Sequence, residues 1–248
     1  MAALAGPADA APSGNAIIEL RTIHLRNTAD NQRQRTADFL EHSVLPALER
    51  AGAGPVGVFT GVIAPAGPFL LTLASFPSLS AMEEIRAKVA ADRRYQSELD
   101  AHNAGPGLGY QRIDSRLLRA FDHMPHVVPP PSEGKRASRL FELRMYESNN
   151  FTTLRRKVEM FNRGEIGIFQ RLGMQPVFFG ETIVGAGMPN LCYMLSYDDL
   201  AGRERAWKAF GADPEWKKLR ATPGYADAEI VSNISNSILS ALPFSPIR

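Results

Sequence analysis

The sequence predicts an α+β protein built from two copies of a β-α-β-β-α-β unit whose sheets pack against each other. The first observation is a repeat: the stretch "IIELRTIHLRN" at Ile17 returns as "LFELRMYESNN" at Leu140. The second is that the same succession of strand and helix patterns follows each copy. Two long aligned halves indicate a duplicated domain, not a row of short repeats.

Each element is predicted from its own pattern. Alternating residues rich in β-branched types predict strands, and apolar residues at helical spacing, such as Phe39, Leu40 and Val44, predict the first helix. In the stretch "DPEW", Asp213 suits a helix cap and Pro214 suits the first helical position. The predicted elements are a strand at 17–24, a helix at 34–51, strands at 56–63 and 69–76, a helix from Leu79, a short helix near Asp92, and last strands at 110–119 and 229–240.

The predicted order is that of the ferredoxin-like unit, an antiparallel sheet with helices on one face. The bare face of such a sheet would expose a large apolar surface to water. Two units can cover each other by laying these faces together and closing into a barrel. We therefore expect an intrachain barrel with a first unit at 15–124 and a second at 139–248, joined by a Pro-rich linker at 125–138.

Composition argues against several functional classes. Of the 248 residues, 44% are hydrophobic and 22% are charged, and the formal net charge is +2, as in ordinary globular proteins. No basic cluster is strong, so we expect no nucleic-acid partner. No apolar run reaches the ~18 residues of a membrane helix, so we expect no membrane span. The five histidines lack metal-ligand spacing, and we predict neither a metal nor a cofactor.

The single cysteine, Cys192, aligns with Leu71 of the first half and is predicted to be an inert core residue. One cysteine allows no intrachain disulfide, so the redox compartment stays open. Residues 1–14, "MAALAGPADAAPSG", are expected to form a disordered tail or to be the remnant of a signal peptide. The protein would be cytoplasmic in the first case and exported in the second.

The Glu-Leu-Arg strand of the second half carries the candidate catalytic residues. Period-two alternation puts Glu142, Arg144 and Tyr146 on one face and an apolar set on the other. We expect the apolar set to meet the helices and the polar set to point into the barrel, where a carboxylate with a shifted pKa could act on a substrate. The alternative is a satisfied ion-pair network that fixes the strand register. The apolar set is Phe141, Leu143 and Met145.

The first half offers an equivalent pair, Glu19 and Arg21, on the matching strand. Glu181, in "FFGETIVG", is another candidate for the barrel interior, and an exposed edge position is its alternative. Together with Glu142, Arg144 and Tyr146, these residues form the predicted ligand-binding set for a small polar molecule.

A glutamate and a run of three basic residues lie on the predicted first helix of the second half. Glu165 falls in register with an apolar stripe, where a carboxylate could serve as an acid or base. Gly164 and Gly167 flank it, so we expect a bend that turns Glu165 to solvent. The run Arg155-Arg156-Lys157 is predicted to form a solvated helix face.

Several long stretches of the second half resemble the NIPSNAP family of the dimeric α/β-barrel superfamily. They are "FELRMYESNN", "LGMQPVFFGETIVGAGMPNLCYMLSYDDLAGRERAWKAFGADPEWKKLR" and "EIVSNISNSILSALPFSPIR", and they cover nearly all of 139–248. The first half is similar more loosely, through "IIELRTIHLRN" and "FLLTLASFPSLSAMEE". The resemblance implies the barrel fold and brings no established catalytic residues.

The family's uncharacterised and interaction-type members imply a non-catalytic binding protein that holds a small ligand between its sheets. Related barrel families imply the alternative, a cofactor-independent monooxygenase- or isomerase-like enzyme that uses Glu142, Arg144 and Tyr146 around the barrel cavity. Whether the protein catalyses any reaction therefore stays open. A homo-oligomer is also expected, because sheet edges could pair with another copy.

Overall fold

A computed structural model describes residues 14–131 and 139–248. Within these residues, eight antiparallel strands form one closed barrel in the order β1-β3-β2-β8-β5-β7-β6-β4. The strands are β1 (Ile17–His24), β2 (Val56–Ile63), β3 (Phe69–Phe76), β4 (Arg112–Ala120), β5 (Leu140–Glu147), β6 (Gln175–Val184), β7 (Asn190–Tyr197) and β8 (Asn233–Ala241).

The two halves of the chain close the barrel through hydrogen-bonded seams. The first half contributes the order β4-β1-β3-β2 and the second half contributes β8-β5-β7-β6. At one seam β2 pairs with β8, with Phe59 opposite Ala241, and at the other β4 pairs with β6, with Leu118 opposite Thr182. Closure leaves no open sheet edge in the barrel, because every strand has two neighbours.

Helices cover the outer face of the barrel in both halves. The first helix of each half is interrupted by a π-helical turn, at Leu40–Val44 and at Phe161–Glu165. The helices are α1 (Gln32–Phe39), α2 (Leu45–Ala51), α3 (Leu79–Ala91), α4 (Arg93–Asn103), α5 (Phe151–Met160), α6 (Ile166–Arg171), α7 (Leu200–Ala212), α8 (Pro214–Arg220) and α9 (Asp227–Ile230).

Local sequence explains where several helices begin. The Asp213 carboxylate accepts from the backbone N–H groups of Glu215 and Trp216 at the start of α8, as its predicted capping role requires. Asn150 forms a capping box with Thr153 at the start of α5. The prediction of a strand from residue 229 was wrong, because the short helix α9 occupies the first part of that stretch and β8 begins at Asn233.

The barrel interior is a packed apolar core with contributions from all eight strands. This corrects the predicted direction of the Glu-Leu-Arg strand, because Phe141, Leu143 and Met145 pack inside the barrel. Glu142, Arg144 and Tyr146 consequently face the helices. The interior of an eight-stranded barrel is just wide enough for side chains to fill, and the helix layer supplies the polar partners that these long side chains need. Buried interior residues include Ile18, Phe59, Leu73, Leu118, Phe141, Phe178, Met194 and Leu239.

The beginning of the predicted linker packs against the barrel. The Ala16 N–H donates to the Pro125 carbonyl at 2.9 Å, and the Val128 N–H donates to the Val177 carbonyl at 2.9 Å. Val127 between them is buried. The rest of the linker, 132–138, and the predicted tail over 1–13 lie outside the described residues.

Candidate functional site

In the second half, Glu142 lies at the centre of a closed polar cluster between the sheet and the helices. Its side chain is fully buried. It accepts hydrogen bonds from Arg144 at 2.8 Å, from the Trp207 indole at 2.8 Å, and from the Asn236 amide at 3.0 Å. Arg203 of α7 adds a further charged donor. The Tyr197 hydroxyl donates as well, at 3.4 Å. Five different side chains therefore saturate the two oxygens of this carboxylate.

The pKa of Glu142 follows from these contacts. Burial raises the pKa, but the hydrogen bond from Arg203 and the charge of Arg144 oppose burial and lower it to about 2. Glu142 is consequently ionised at neutral pH and makes a poor general acid or base there.

Aromatic rings fill the space beside this cluster. The Tyr193 hydroxyl donates to the Tyr146 hydroxyl at 2.8 Å, and the Tyr146 oxygen also accepts from Arg144 at 3.1 Å. The Tyr193 ring stacks on Phe179 with 5.3 Å between centroids, and the Arg144 guanidinium lies 4.4 Å from the Trp207 ring centre. The second half thus brings together all three predicted catalytic candidates in a closed, packed arrangement.

In the first half, Glu19 lies at the centre of the equivalent cluster. The buried Glu19 carboxylate accepts from Arg21 Nε at 2.8 Å, from Ser115 Oγ at 2.9 Å, and from Arg86 of α3. The two arginine side chains remain 42% and 43% exposed. The Arg144 side chain of the second half is only 12% exposed. The same cluster is therefore open in the first half.

A cavity of about 510 Å³ lies beside the Glu19 cluster, between the sheet of the first half and its helices. The cavity exists because the first half has smaller side chains at the positions where the second half has aromatic rings. In the second half, Tyr193 lies opposite Arg144 on one neighbouring strand and opposite Phe179 on the other. In the first half, Thr72 takes the place of Tyr193 and lies opposite Arg21 and Val58. The replacements from the second half to the first are Tyr146 by Ile23, Phe179 by Val58, Tyr193 by Thr72, and Trp207 by Arg86.

Helix α4 forms the wall of the cavity opposite the strands, with Tyr95 and His102 among the lining residues. The His102 ring stacks on Phe39, with 4.5 Å between centroids and 13° between planes. Burial, followed by the nearby charge of Arg35, lowers the pKa of His102, so the imidazole is neutral near pH 7. Burial raises the pKa of Tyr95, and the charge of Arg21 opposes that rise.

Glu181 is not part of either cluster. It lies half-buried on β6 and is registered opposite Arg119 of β4. Its neighbours by alternation, Phe179 and Ile183, pack against the helix-side cores. Glu181 therefore points outwards from the barrel, and the prediction of an interior carboxylate was wrong.

Packed side chains from all eight strands occupy the barrel interior. A pocket of about 110 Å³ opens near Thr22, Leu71 and Leu143 at one end. The predicted position of a ligand, in the barrel between two sheets, is thus corrected: mostly apolar side chains occupy that interior, and the cavity of about 510 Å³ lies between sheet and helices.

Glu165 lies in the π-helical turn of the second half and is buried. Lys157 Nζ donates to Glu165 at 3.1 Å, and the two side chains are only 1% and 2% exposed. Glu165 was predicted to face solvent and Lys157 to lie on a solvated face, and both predictions were wrong. The expected bend at Gly164 and Gly167 does not turn Glu165 to solvent: the helix continues through the π-helical turn, and Glu165 stays buried. Burial raises the pKa of Glu165, although the charge of Lys157 opposes the rise.

Cys192 lies inside the barrel and is buried, as predicted. Burial raises the pKa of its thiol to about 11. In residues 14–131 and 139–248, no three His, Cys, Asp or Glu side chains are grouped so that they could hold a metal ion. None of the helices described is long and apolar enough to cross a membrane.

Sequence reasoning missed Arg86, Arg203 and Trp207, which come from α3 and α7 and complete the two clusters. One signal was present: the repeat aligns Arg86 with Trp207, a charged residue with an aromatic one. Such a replacement at a matched position of the sequence repeat indicates that the two environments differ.

One family model matches the second half of the chain. The sequence model of the NIPSNAP family matches residues 141–246, which confirms the resemblance predicted from the sequence. No curated protein matches the chain.

Solved structures share the fold over nearly the whole chain. A candidate monooxygenase from Fusobacterium nucleatum aligns with a TM-score of 0.61 and 8% identity, covering 93% of this chain and 94% of its own. A candidate monooxygenase from Lactobacillus acidophilus aligns with a TM-score of 0.59 and 13% identity, covering 92% and 94%. A NIPSNAP family protein of unknown function from Agrobacterium tumefaciens is 20% identical and covers 46% of this chain and 97% of its own, with a TM-score of 0.40.

Proposed function

We propose that the chain is a non-catalytic, NIPSNAP-type binding protein that holds one small molecule in the cavity between its N-terminal sheet and the helices. The observation that carries this proposal is the cavity of about 510 Å³, which falls within the size range of ligand sites. The second half fills the equivalent space with Tyr146, Phe179, Tyr193 and Trp207. One half of the duplicated protein thus keeps a packed core and the other keeps room for a ligand.

The carboxylates Glu19 and Glu142 already accept several hydrogen bonds, which favours a binding role over a catalytic one. Glu19, the acidic residue in the cavity lining, already accepts hydrogen bonds from Arg21, Arg86 and Ser115. A monooxygenase- or isomerase-like enzyme of the alternative kind would use Glu142, Arg144 and Tyr146. These three are partnered within the packed second half and lie apart from the cavity lining.

We also propose that the barrel consists of two ferredoxin-like units, 15–124 and 139–248, joined by the linker 125–138. The matched strand orders β4-β1-β3-β2 and β8-β5-β7-β6 support this division. A duplicated unit explains why one copy could lose aromatic residues while the other kept the packed core. The remaining ligand-set residue, Glu181, has no role in the proposed site.

The test of this proposal is to fill the cavity by substituting first-half residues with the aromatic residues found at the equivalent positions of the second half. The variants Thr72→Tyr and Val58→Phe install the aromatic rings found at Tyr193 and Phe179, and Thr222→Tyr, at an exposed position, is the control. Binding is measured with the fluorescent probe 1-anilinonaphthalene-8-sulfonate, and native mass spectrometry of the freshly purified protein detects a retained molecule.

We expect both filling variants to lose most of the probe fluorescence and any retained mass, while thermal melting shows that they fold. The Thr222→Tyr protein should behave as the wild type. Unchanged probe binding in two folded filling variants would refute a ligand site in this cavity.

A further inference from the structure

The charges around the cavity do not balance. Its lining contains two guanidinium groups, Arg21 and Arg86, and one carboxylate, Glu19. His102 also lines the cavity, and its lowered pKa leaves it uncharged near pH 7. Two positive charges and one negative charge leave one positive charge at a partly buried site, which an anionic ligand would neutralise.

The two arginines also retain hydrogen-bonding capacity. Each guanidinium carries five N–H donors, and the described contacts to Glu19 use Nε of Arg21 and one Nη of Arg86. A guanidinium can bind a carboxylate through two parallel hydrogen bonds. Arg144 in the second half is different, because Tyr146 accepts from its second Nη and the Trp207 ring covers it.

Most of the other lining residues are apolar, and several of them lie deeper. Leu40, Val58 and Phe76 are at most 4% exposed, whereas the Arg21 and Arg86 side chains are 42% and 43% exposed. The lining therefore has a charged end near solvent and an apolar interior. A ligand that matches both ends carries its charge at one end of an apolar body.

We propose that the cavity selects amphiphilic monocarboxylates, with the carboxylate at Arg21 and Arg86 and the apolar body between the strands and α4. This inference rests on the proposed function, because it names the ligand class of the same cavity. A site that merely traps apolar molecules would not distinguish ligands by the charge of their head group.

The experiment compares three probes of equal chain length: decanoate, 1-decanol and decyltrimethylammonium. Each decyl compound is titrated into wild-type protein that has 1-anilinonaphthalene-8-sulfonate bound. All concentrations stay below those at which the decyl compound itself forms micelles. We expect decanoate to displace the fluorescent probe at a concentration about tenfold or more below that of decanol, because hydrogen bonds to charged groups are the stronger ones. Decyltrimethylammonium should displace it least.

The variant Arg86→Gln removes one charge and keeps a hydrogen-bond donor for Glu19. It should reduce the preference for decanoate over decanol, measured as the ratio of the two displacing concentrations on the same protein, by about tenfold. Lys88→Gln is the matched control, because it removes one positive charge from an exposed position of the same helix. Arg21→Gln serves as the second variant if thermal melting shows that Arg86→Gln does not fold.

The outcomes separate the two proposals. Equal displacement by decanoate and decanol, or stronger displacement by decyltrimethylammonium, overturns the selection of carboxylates and leaves the cavity as a binding site. Failure of all three probes, together with unchanged fluorescence of the Thr72→Tyr and Val58→Phe proteins, overturns the binding site itself.

Discussion

Arg86 and Trp207 occupy the same position of the repeated unit, and each donates a hydrogen bond to the glutamate on the first strand of its own half. The Arg86 guanidinium donates to Glu19, and the Trp207 indole donates to Glu142 at 2.8 Å. Trp207 also covers Arg144, which closes the second half. Arg86 is partly exposed at the cavity. The residue at this position therefore donates to the glutamate in both halves, but only the arginine of the first half leaves the adjoining cavity open.

Trp207→Phe should destabilise the protein through the loss of a single donor. The change keeps an aromatic ring but leaves one oxygen of the buried Glu142 carboxylate with fewer partners. We expect a loss of about 1.5–3 kcal/mol in the free energy of unfolding, measured by urea denaturation. Trp216→Phe is the control, because Trp216 packs on Phe210 at 4.4 Å between ring centroids. Equal losses in both variants would show that the indole donor contributes nothing.

Glu142 should make stability depend on pH in the acidic range. Its pKa is about 2 in the folded protein, against 4.5 for an ordinary glutamate, so between these values the unfolded chain binds more protons. Its contribution is complete above pH 4.5 and is lost as the pH falls towards 2. The loss amounts to about 3 kcal/mol. Urea denaturation at a series of pH values measures it.

The variant Glu142→Gln isolates this contribution from those of other carboxylates. Its free energy of unfolding should fall less steeply than that of the wild type over the same pH range. Glu204→Gln, which changes an exposed glutamate of the same half, should keep the wild-type dependence. Parallel curves for the wild type and Glu142→Gln would contradict the lowered pKa.

Removing one partner of the buried pair Lys157–Glu165 should destabilise the protein strongly, whereas replacing both partners with apolar residues should destabilise it little. Lys157→Met leaves the Glu165 carboxylate buried without its main partner, and we expect a loss of about 3–5 kcal/mol in the free energy of unfolding. The double variant Lys157→Met/Glu165→Leu removes both charges and should recover most of that loss. Urea denaturation of both proteins measures the difference.

The exposed pair Arg163–Glu159 supplies the comparison, because its side chains are 65% and 45% exposed. Arg163→Ala should cost less than about 1 kcal/mol. If the double variant at positions 157 and 165 is no more stable than Lys157→Met alone, the pair contributes more than the avoidance of an isolated buried charge.

Cys192 should be unreactive in the folded protein. Burial inside the barrel raises the pKa of its thiol to about 11, and the thiolate is the form that reacts. We expect no colour change with 5,5′-dithiobis(2-nitrobenzoic acid) near neutral pH, and one equivalent of reacted thiol after unfolding in guanidinium chloride. Rapid reaction of the native protein would show that the barrel opens to solvent.

Much of the local structure could be predicted because its signals are contained in short stretches. β1, β2 and β3 begin and end where their patterns predict, and Asp213 caps its helix. The grouping of Glu142, Arg144 and Tyr146 on one face also follows from alternation. Alternation does not tell which face points inward, because the barrel interior covers one face and the helices cover the other.

The position of Glu165 could not be predicted for a different reason. Periodicity places Glu165 on the apolar stripe, but the glycines at 164 and 167 favour a bend that would expose it; the helix instead continues through the π-helical turn Phe161–Glu165 with Glu165 buried. Its partner Lys157 lies in a run of basic residues that has the composition of an exposed helix face. Only the folded chain shows that the two charges meet.

The sequence by itself determined the repeat, the order of strands and helices, and the resemblance to the NIPSNAP family in the second half. The tertiary structure decided which face of the Glu-Leu-Arg strand is inside the barrel and which half contains a cavity. The physical reason is that a cavity depends on the summed volume of side chains from separate elements. Ile23, Val58 and Thr72 are unremarkable in their own strands, and only strand register brings them together as the space that three aromatic rings fill in the other half.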